Sequence, residues 1–232
     1  VQHAVDIVEV ERSLRLLVDP GATFEVRALG TERGREVTLS GYFVDAHLAA
    51  AQVLRSVGRE ATGIYVTLNP THPDLRARCS DRIAPAKKGG TTGDQHIVKR
   101  TRLLFDVDAD RPSGISASDK EHTAALNLIA EMEAELSARG WPEPLRGDSG
   151  NGGHLIYAID LPTEDAGLVG RVLAAAHARW GCTVQGVKLK VDTSVANPAR
   201  ISKLYGTLAR KGDDIAERPH RMSRILRAPD TL

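Results

Sequence analysis

The sequence predicts a mixed α+β fold, and three observations carry that prediction. Glu36 to Phe43 and several segments like it alternate apolar and polar residues, the period-two pattern of a strand. Ala125, Leu128, Ile129, Met132 and Leu136 repeat instead at helical spacing. The two patterns interleave along the whole chain. With 232 residues and 41% hydrophobic content, the chain can bury a core as one domain or as two packed lobes. No apolar run approaches the ~20 residues that span a bilayer, and Val1 to Asp6 lacks the basic-then-apolar layout of a signal peptide. Only Cys79 and Cys182 are present, too few for a disulfide framework or a four-cysteine zinc site. A cytoplasmic, reducing location without a membrane partner is the expectation.

Taken in order, residues 4–18 carry a loose helical stripe that stops at Asp19-Pro20-Gly21. Phe24 to Leu29 and Glu36 to Phe43 read as strands joined by a hairpin at Gly30 to Gly34. Asp45 can cap a helix from Ala46 to Val57, ended by Gly58. Gly63 to Leu68 is a buried-looking strand halted by Asn69-Pro70, and the poorly patterned stretch 70–100 marks a border between an N-terminal module, 1–95, and a second module, 96–232. Next comes the strand Arg102 to Asp108. Ser118 and Glu121 form a capping box for a helix closed by Gly140. His154 to Asp160 is a strand, Thr163 can cap a helix running to Trp180 and Gly181, and Val187 to Asp192 alternates again.

Chemistry concentrates on the strand Arg102 to Asp108. Leu103, Phe105 and Val107 share one face, while Leu104, Asp106 and Asp108 share the other, so two carboxylates end side by side. Two like charges that close are costly without a cation between them, and their oxygens suit Mg²⁺ or Mn²⁺. Metal-assisted phosphoryl transfer is therefore expected. Gly147 to Gly153 is a glycine-rich turn able to bring backbone N–H groups to phosphate oxygens, with His154 at its exit; it lacks the Gly-Lys-Ser/Thr ending of a P-loop. Asp192 could add a third carboxylate to a two-ion site, flanked by Lys188 and Lys190, or it could cap a turn. Lys87-Lys88-Gly89-Gly90 could touch nucleic-acid phosphates or be a solvated loop.

Charge is uneven. From Lys188 onward ten Lys/Arg face five Asp/Glu, leaving 21 against 25 in the remainder. A basic end beside an acidic body points to an anionic partner or to a solvated basic surface.

In sequence order these pieces resemble the catalytic domain of the archaeo-eukaryotic primase superfamily, in the primase-polymerase form found in bacteria and mobile elements. The resemblance lies in Asp106-Val107-Asp108, in Ser149 through His154, and in Val191-Asp192. It extends to Ile64 through Pro70, Asp106 through Pro112, Asn197 through Arg200, Lys203 through Thr207, and Glu217 through Arg221. Tyr205 departs from the family, many members of which have Pro before Gly-Thr. The resemblance implies an α/β module packed on a module like the RNA-recognition motif, with the active site in the cleft between them. It implies that Asp106, Asp108 and Asp192 hold two Mg²⁺ or Mn²⁺ ions and catalyse nucleotidyl transfer. Ser149, Asn151, His154, Arg200 and Lys203 would bind the nucleotide; apart from the resemblance, the Lys-Gly loop and the basic tail make Lys87, Lys88 and Lys211 the expected DNA contacts. Expected partners are a single-stranded template or primer-template, ribo- or deoxynucleoside triphosphates, and a helicase or another replication or defence protein.

Two rivals remain. A glycosyltransferase could use the Asp-x-Asp for Mn²⁺ and a nucleotide-sugar, but the late Asp and basic tail go unexplained. A single-stranded nucleic-acid-binding module without catalysis conflicts with three acids, which repel phosphate unless a metal intervenes.

Overall fold

In the computed structural model, which describes residues 5–32, 35–56 and 61–232, the chain opens with helix α1 (Ile7–Leu17). Its cap is Asp6, whose carboxylate accepts the Val8 and Glu9 N–H groups. Strands β1 (Phe24–Glu32) and β2 (Arg35–Phe43) pair antiparallel as the expected hairpin. Residues 33–34 of its turn lie outside the described residues, as do Ala4 and the predicted helix end at Val57 and Gly58. Helix α2 (Ala46–Ser56) begins at Asp45, which accepts the Leu48 N–H at 2.7 Å, and β3 (Ala61–Thr67) follows.

After the two-residue strand β4 (Ala84–Pro85), β5 (Arg100–Ala109) carries the acidic pair. Helix α3 (Asp119–Ala138) starts in the predicted capping box: Ser118 accepts the Glu121 N–H and Glu121 accepts the Ser118 N–H. Strands β6 (Leu145–Asp148) and β7 (Gly153–Leu161) make a hairpin whose loop is the glycine-rich turn. Helix α4 (Leu168–Trp180) corrects the expected cap. Thr163 spends its hydroxyl on the Ile97 and Val98 carbonyls, and Asp165 instead accepts the Gly167 and Val169 N–H groups. The remaining strands are β8 (Cys182–Val184), β9 (Val187–Val191), β10 (Ile201–Lys203), β11 (Leu208–Ala209), β12 (Arg221–Met222) and β13 (Arg224–Arg227).

The result is mixed α and β with antiparallel sheets. One sheet runs β10-β3-β1-β2-β4, a second β13-β6-β7-β5-β9-β8, and β11 pairs with β12. Strand β10 therefore crosses from the second half of the sequence to the edge of the first sheet, where Lys203 pairs with Tyr65. On one face of that sheet Phe24, Val26, Phe43, Ile64 and Val66 join Leu14 and Leu17 of α1 and Val53 of α2 in the core. The same core continues through Phe105, Ile129, Leu155 and Leu189, so both sheets share it. No helix among the described residues is long and apolar enough to cross a membrane.

Candidate active site

The alternation along β5 holds. Phe105 turns inward, its ring 5.9 Å from Tyr157 in an edge-on contact, while Leu104, Asp106 and Asp108 line a cavity of about 270 Å³ on the other side. The register sets His154 directly opposite Asp106, bringing Nε2 to 3.5 Å from Oδ1. Ser149 and Asn151 reach the cavity from the β6–β7 loop; Arg200, Lys203 and Lys211 come from the C-terminal quarter, and Tyr65 and Thr62 from β3. Because β10 is hydrogen-bonded to β3, the cavity has walls from both sheets.

The two acids differ electrostatically. Burial works to raise the Asp106 carboxyl, but the attraction of His154, Lys211 and Arg200 outweighs it and holds the group below the usual carboxylate range. Asp108 is pushed up, by burial first and then by the charge of Asp106, against the pull of Arg111 and Lys211. Arg111 Nη1 stands 3.4 Å from Asp108 Oδ1. The side chains are 25% and 28% exposed, so an ion can reach both.

Several predicted site residues make bonds of their own in this structure. Asp192 lies one register step beyond the Val107–Val191 pair, its N–H donating to the Asp106 carbonyl at 2.8 Å. Its carboxylate, however, accepts the Ser194 N–H and caps the short 3-10 helix Thr193–Ala196, outside the cavity lining. Among the described residues no group of three or more His, Cys, Asp or Glu is arranged to hold a metal. The turn 149–152 is not an open anion nest. The Gly150 N–H donates to Asp148, the Asn151 and Gly152 N–H groups to the Ser149 hydroxyl, and the Ser149 N–H to the Gly152 carbonyl. The Asn151 side-chain oxygen is committed to the Ala117 N–H. Lys188 and Lys190 bind Asp110 at 3.1 and 3.3 Å; Lys190 stands opposite Asp108 in the register, but neither lysine lines the cavity.

Much of the basic tail meets the acidic body of its own chain. Arg218 pairs with Glu121, Arg221 with Asp119, and Arg227 with Glu133 and Glu143. Arg200, Lys203 and Lys211 remain at the cavity. Lys87 and Lys88 line a different cleft.

Tyr205 and Arg111 were missed as site residues, although both fall in segments that carry the family resemblance. The Tyr205 hydroxyl sits 2.9 Å from His154 Nδ1 in a fully buried position. Burial first, then the Asp106 charge, keeps this phenol protonated far above its ordinary range, so the hydroxyl and the imidazole share one proton-bearing contact that fixes the ring facing Asp106. Its ring fits only because Gly147 has no side chain: a Cβ there would overlap the ring and hydroxyl.

Lys203 is the most perturbed cation. It is 5% exposed, donates to the Leu208 carbonyl at 3.0 Å, and lies over the Tyr65 ring. Burial first, then Lys211 and Arg210, lowers its pKa to about 7. Unfolded, the amine titrates near 10.5, so between the two values the unfolded chain binds the extra proton and stability rises with pH. Below about 7 the cost of the buried ammonium is fully present. Lys203→Met is therefore expected to gain stability over the parent at about pH 7 and to lose that gain by about pH 10, measured by urea unfolding. A pH-independent difference would refute the assignment.

No protein-family model matches the chain, and no curated protein sequence matches it. Among solved structures, a polymerase domain of Mycobacterium tuberculosis Ligase D in complex with DNA is similar at 16% identity and a TM-score of 0.45, covering 94% of this chain and 80% of that one. A likeness this distant assigns neither family nor activity.

Proposed function

We propose that this chain is a metal-dependent nucleotidyltransferase of the primase-polymerase kind, adding nucleotides from nucleoside triphosphates on a single-stranded DNA template. One observation carries the proposal: a single cavity sets the Asp106–Asp108 pair beside Arg200, Lys203 and Lys211. Oxygen donors for a hard divalent ion thus adjoin nitrogen donors for a triphosphate. The primase-type arrangement of two modules around a cleft belongs to the same proposal.

Asp106 and Asp108 fit Mg²⁺ or Mn²⁺ chemically. Asp108 is held up by burial and then by its neighbour's charge, and a shared cation relieves the second of these. Both would hold the ion; a second ion would need the Asp192 carboxylate as well, turned from the Ser194 N–H that it accepts in this structure. When bound, such ions lower the pKa of the attacking 3′-hydroxyl and neutralise the departing pyrophosphate. The protein's own part is positioning. Arg200, Lys203 and Lys211 orient the triphosphate so that the hydroxyl attacks the α-phosphorus and pyrophosphate leaves, and the His154 ring, held by Tyr205, keeps Asp106 in place.

The test is incubation with single-stranded DNA, Mg²⁺ or Mn²⁺ and labelled ribo- or deoxynucleotides, with and without a primer. Strand products with matching pyrophosphate release are expected. Nucleoside diphosphate release from a nucleotide-sugar, without strand products, would move the assignment to glycosyl transfer.

A further inference from the structure

Resting on the polymerase reading, we infer that the cleft at the far edge of the five-stranded sheet is a second phosphate site, which holds the nucleic-acid strand several nucleotides from the candidate active site. The register supplies the path. Lys203 opposes Tyr65, Tyr65 opposes Arg27, Arg27 opposes Ser40, and Ser40 opposes Ala84. Directly opposed residues share a face, so this row crosses all five strands on the face away from the buried Val26 and Val66. Lys203 and Tyr65, at one end, line the cavity that holds Asp106 and Asp108. Ser40 and Ala84, at the other, line a cleft of about 470 Å³ with Arg78, Arg82, Lys87 and Lys88.

Four cations and no carboxylate line that cleft. Among the described residues Lys87 and Lys88 make no ion pair and Arg82 reaches only the Ser80 carbonyl, while Arg78 donates to the Gly90 and Thr91 carbonyls beside His96. Nearby cations do find acids, as Arg76 does with Asp81 and Lys99 with Asp160. Like charges gathered without a counter-ion repel one another, and an arriving polyanion removes that cost.

Midway, the ground between the two ends is covered by the loop that carries Thr92, with Ser40 3% and Glu25 0% exposed, so a strand joining the ends runs over that loop and not on the sheet itself. Its one buried acid, Glu25, is fully engaged with Arg27, the Ser40 hydroxyl and the Thr92 N–H, and presents no free negative charge. Those bonds, with the Tyr42 hydroxyl on the Gly90 carbonyl, pin the loop that carries the lysines. Four strand spacings separate β10 from β4, about 19 Å. At about 3.4 Å per stacked nucleotide, one strand of about six nucleotides reaches both ends.

The test measures binding of labelled oligothymidylates of about 4 and about 16 nucleotides by fluorescence anisotropy across a salt series, for the parent chain and for the triple variant Arg82→Ala, Lys87→Ala, Lys88→Ala. All three residues are exposed, so the core is untouched. Lys120→Ala with Arg171→Ala serves as a charge control elsewhere on the surface. The triple variant is expected to bind the long oligomer about tenfold more weakly, with a salt slope shallower by about 2, and the short one within about twofold of the parent. No loss on the long oligomer, equal losses on both lengths, or an equal loss in the control would overturn the second site. Primer extension by the parent is followed in parallel. Extension without the length-dependent loss overturns the second site alone; the length-dependent loss without extension supports a strand site and removes the catalytic reading; neither extension nor oligonucleotide binding overturns both.

Discussion

Asp108→Asn is expected to reduce nucleotide incorporation by about a thousandfold or more while leaving the fold at least as stable as the parent. The activity loss follows from halving the oxygen pair on which a divalent ion would sit. The stability outcome follows from the electrostatics, since Asp108 is raised by burial and by Asp106, and a neutral amide of the same shape removes that repulsion without opening a cavity. What is given up is a single contact to Arg111 at 3.4 Å. Single-turnover incorporation and urea unfolding, run on the same preparation, test both halves. Parent-rate extension would remove Asp108 from the chemistry, and a marked loss of stability would mean that its charge is structural.

Gly152→Ala is the second large effect, and it couples fold to site. A Cβ at Gly152 would overlap the Val107 carbonyl and the Asp108 carboxylate, one of them backbone in the central strand pair. Neither can withdraw without disturbing β5, so a loss of about 2–4 kcal/mol is expected, together with loss of incorporation. Gly114→Ala is the comparison. It has positive φ but open space around it, so only about 1 kcal/mol of backbone strain is expected there. Urea unfolding should rank Gly152→Ala well below Gly114→Ala. Equal stabilities would show that the β6–β7 loop can shift freely and does not hold Asp108.

The glycine-rich turn shows why parts of the site were hard to read. Its glycines suggested an anion cradle, but its N–H groups are spent within the loop, and Gly152 and Gly147 serve close approaches to Asp108 and Tyr205. A glycine needed for space and one needed for phosphate look alike in a sequence. Asp192 is a similar case: its position one step past Val191 was legible, but the direction of its carboxylate depends on a competition between the Ser194 N–H and the cavity.

By itself the sequence determined what is local. The alternation of Arg102 to Asp108 put both acids on one face, and the caps at Asp45 and at Ser118 with Glu121 follow from groups at most three residues apart. Only the tertiary structure decided which cations remain for an anion, because the partners of Arg218, Arg221, Lys188 and Lys190 lie some eighty to a hundred residues away in sequence. It also decided that Lys203 lines the same cavity as the acidic pair, through the pairing of β10 with β3. The physical reason is the same in each case. Backbone periodicity and capping act within a turn or a strand, whereas ion pairing and sheet order depend on which distant surfaces the shared core brings into contact.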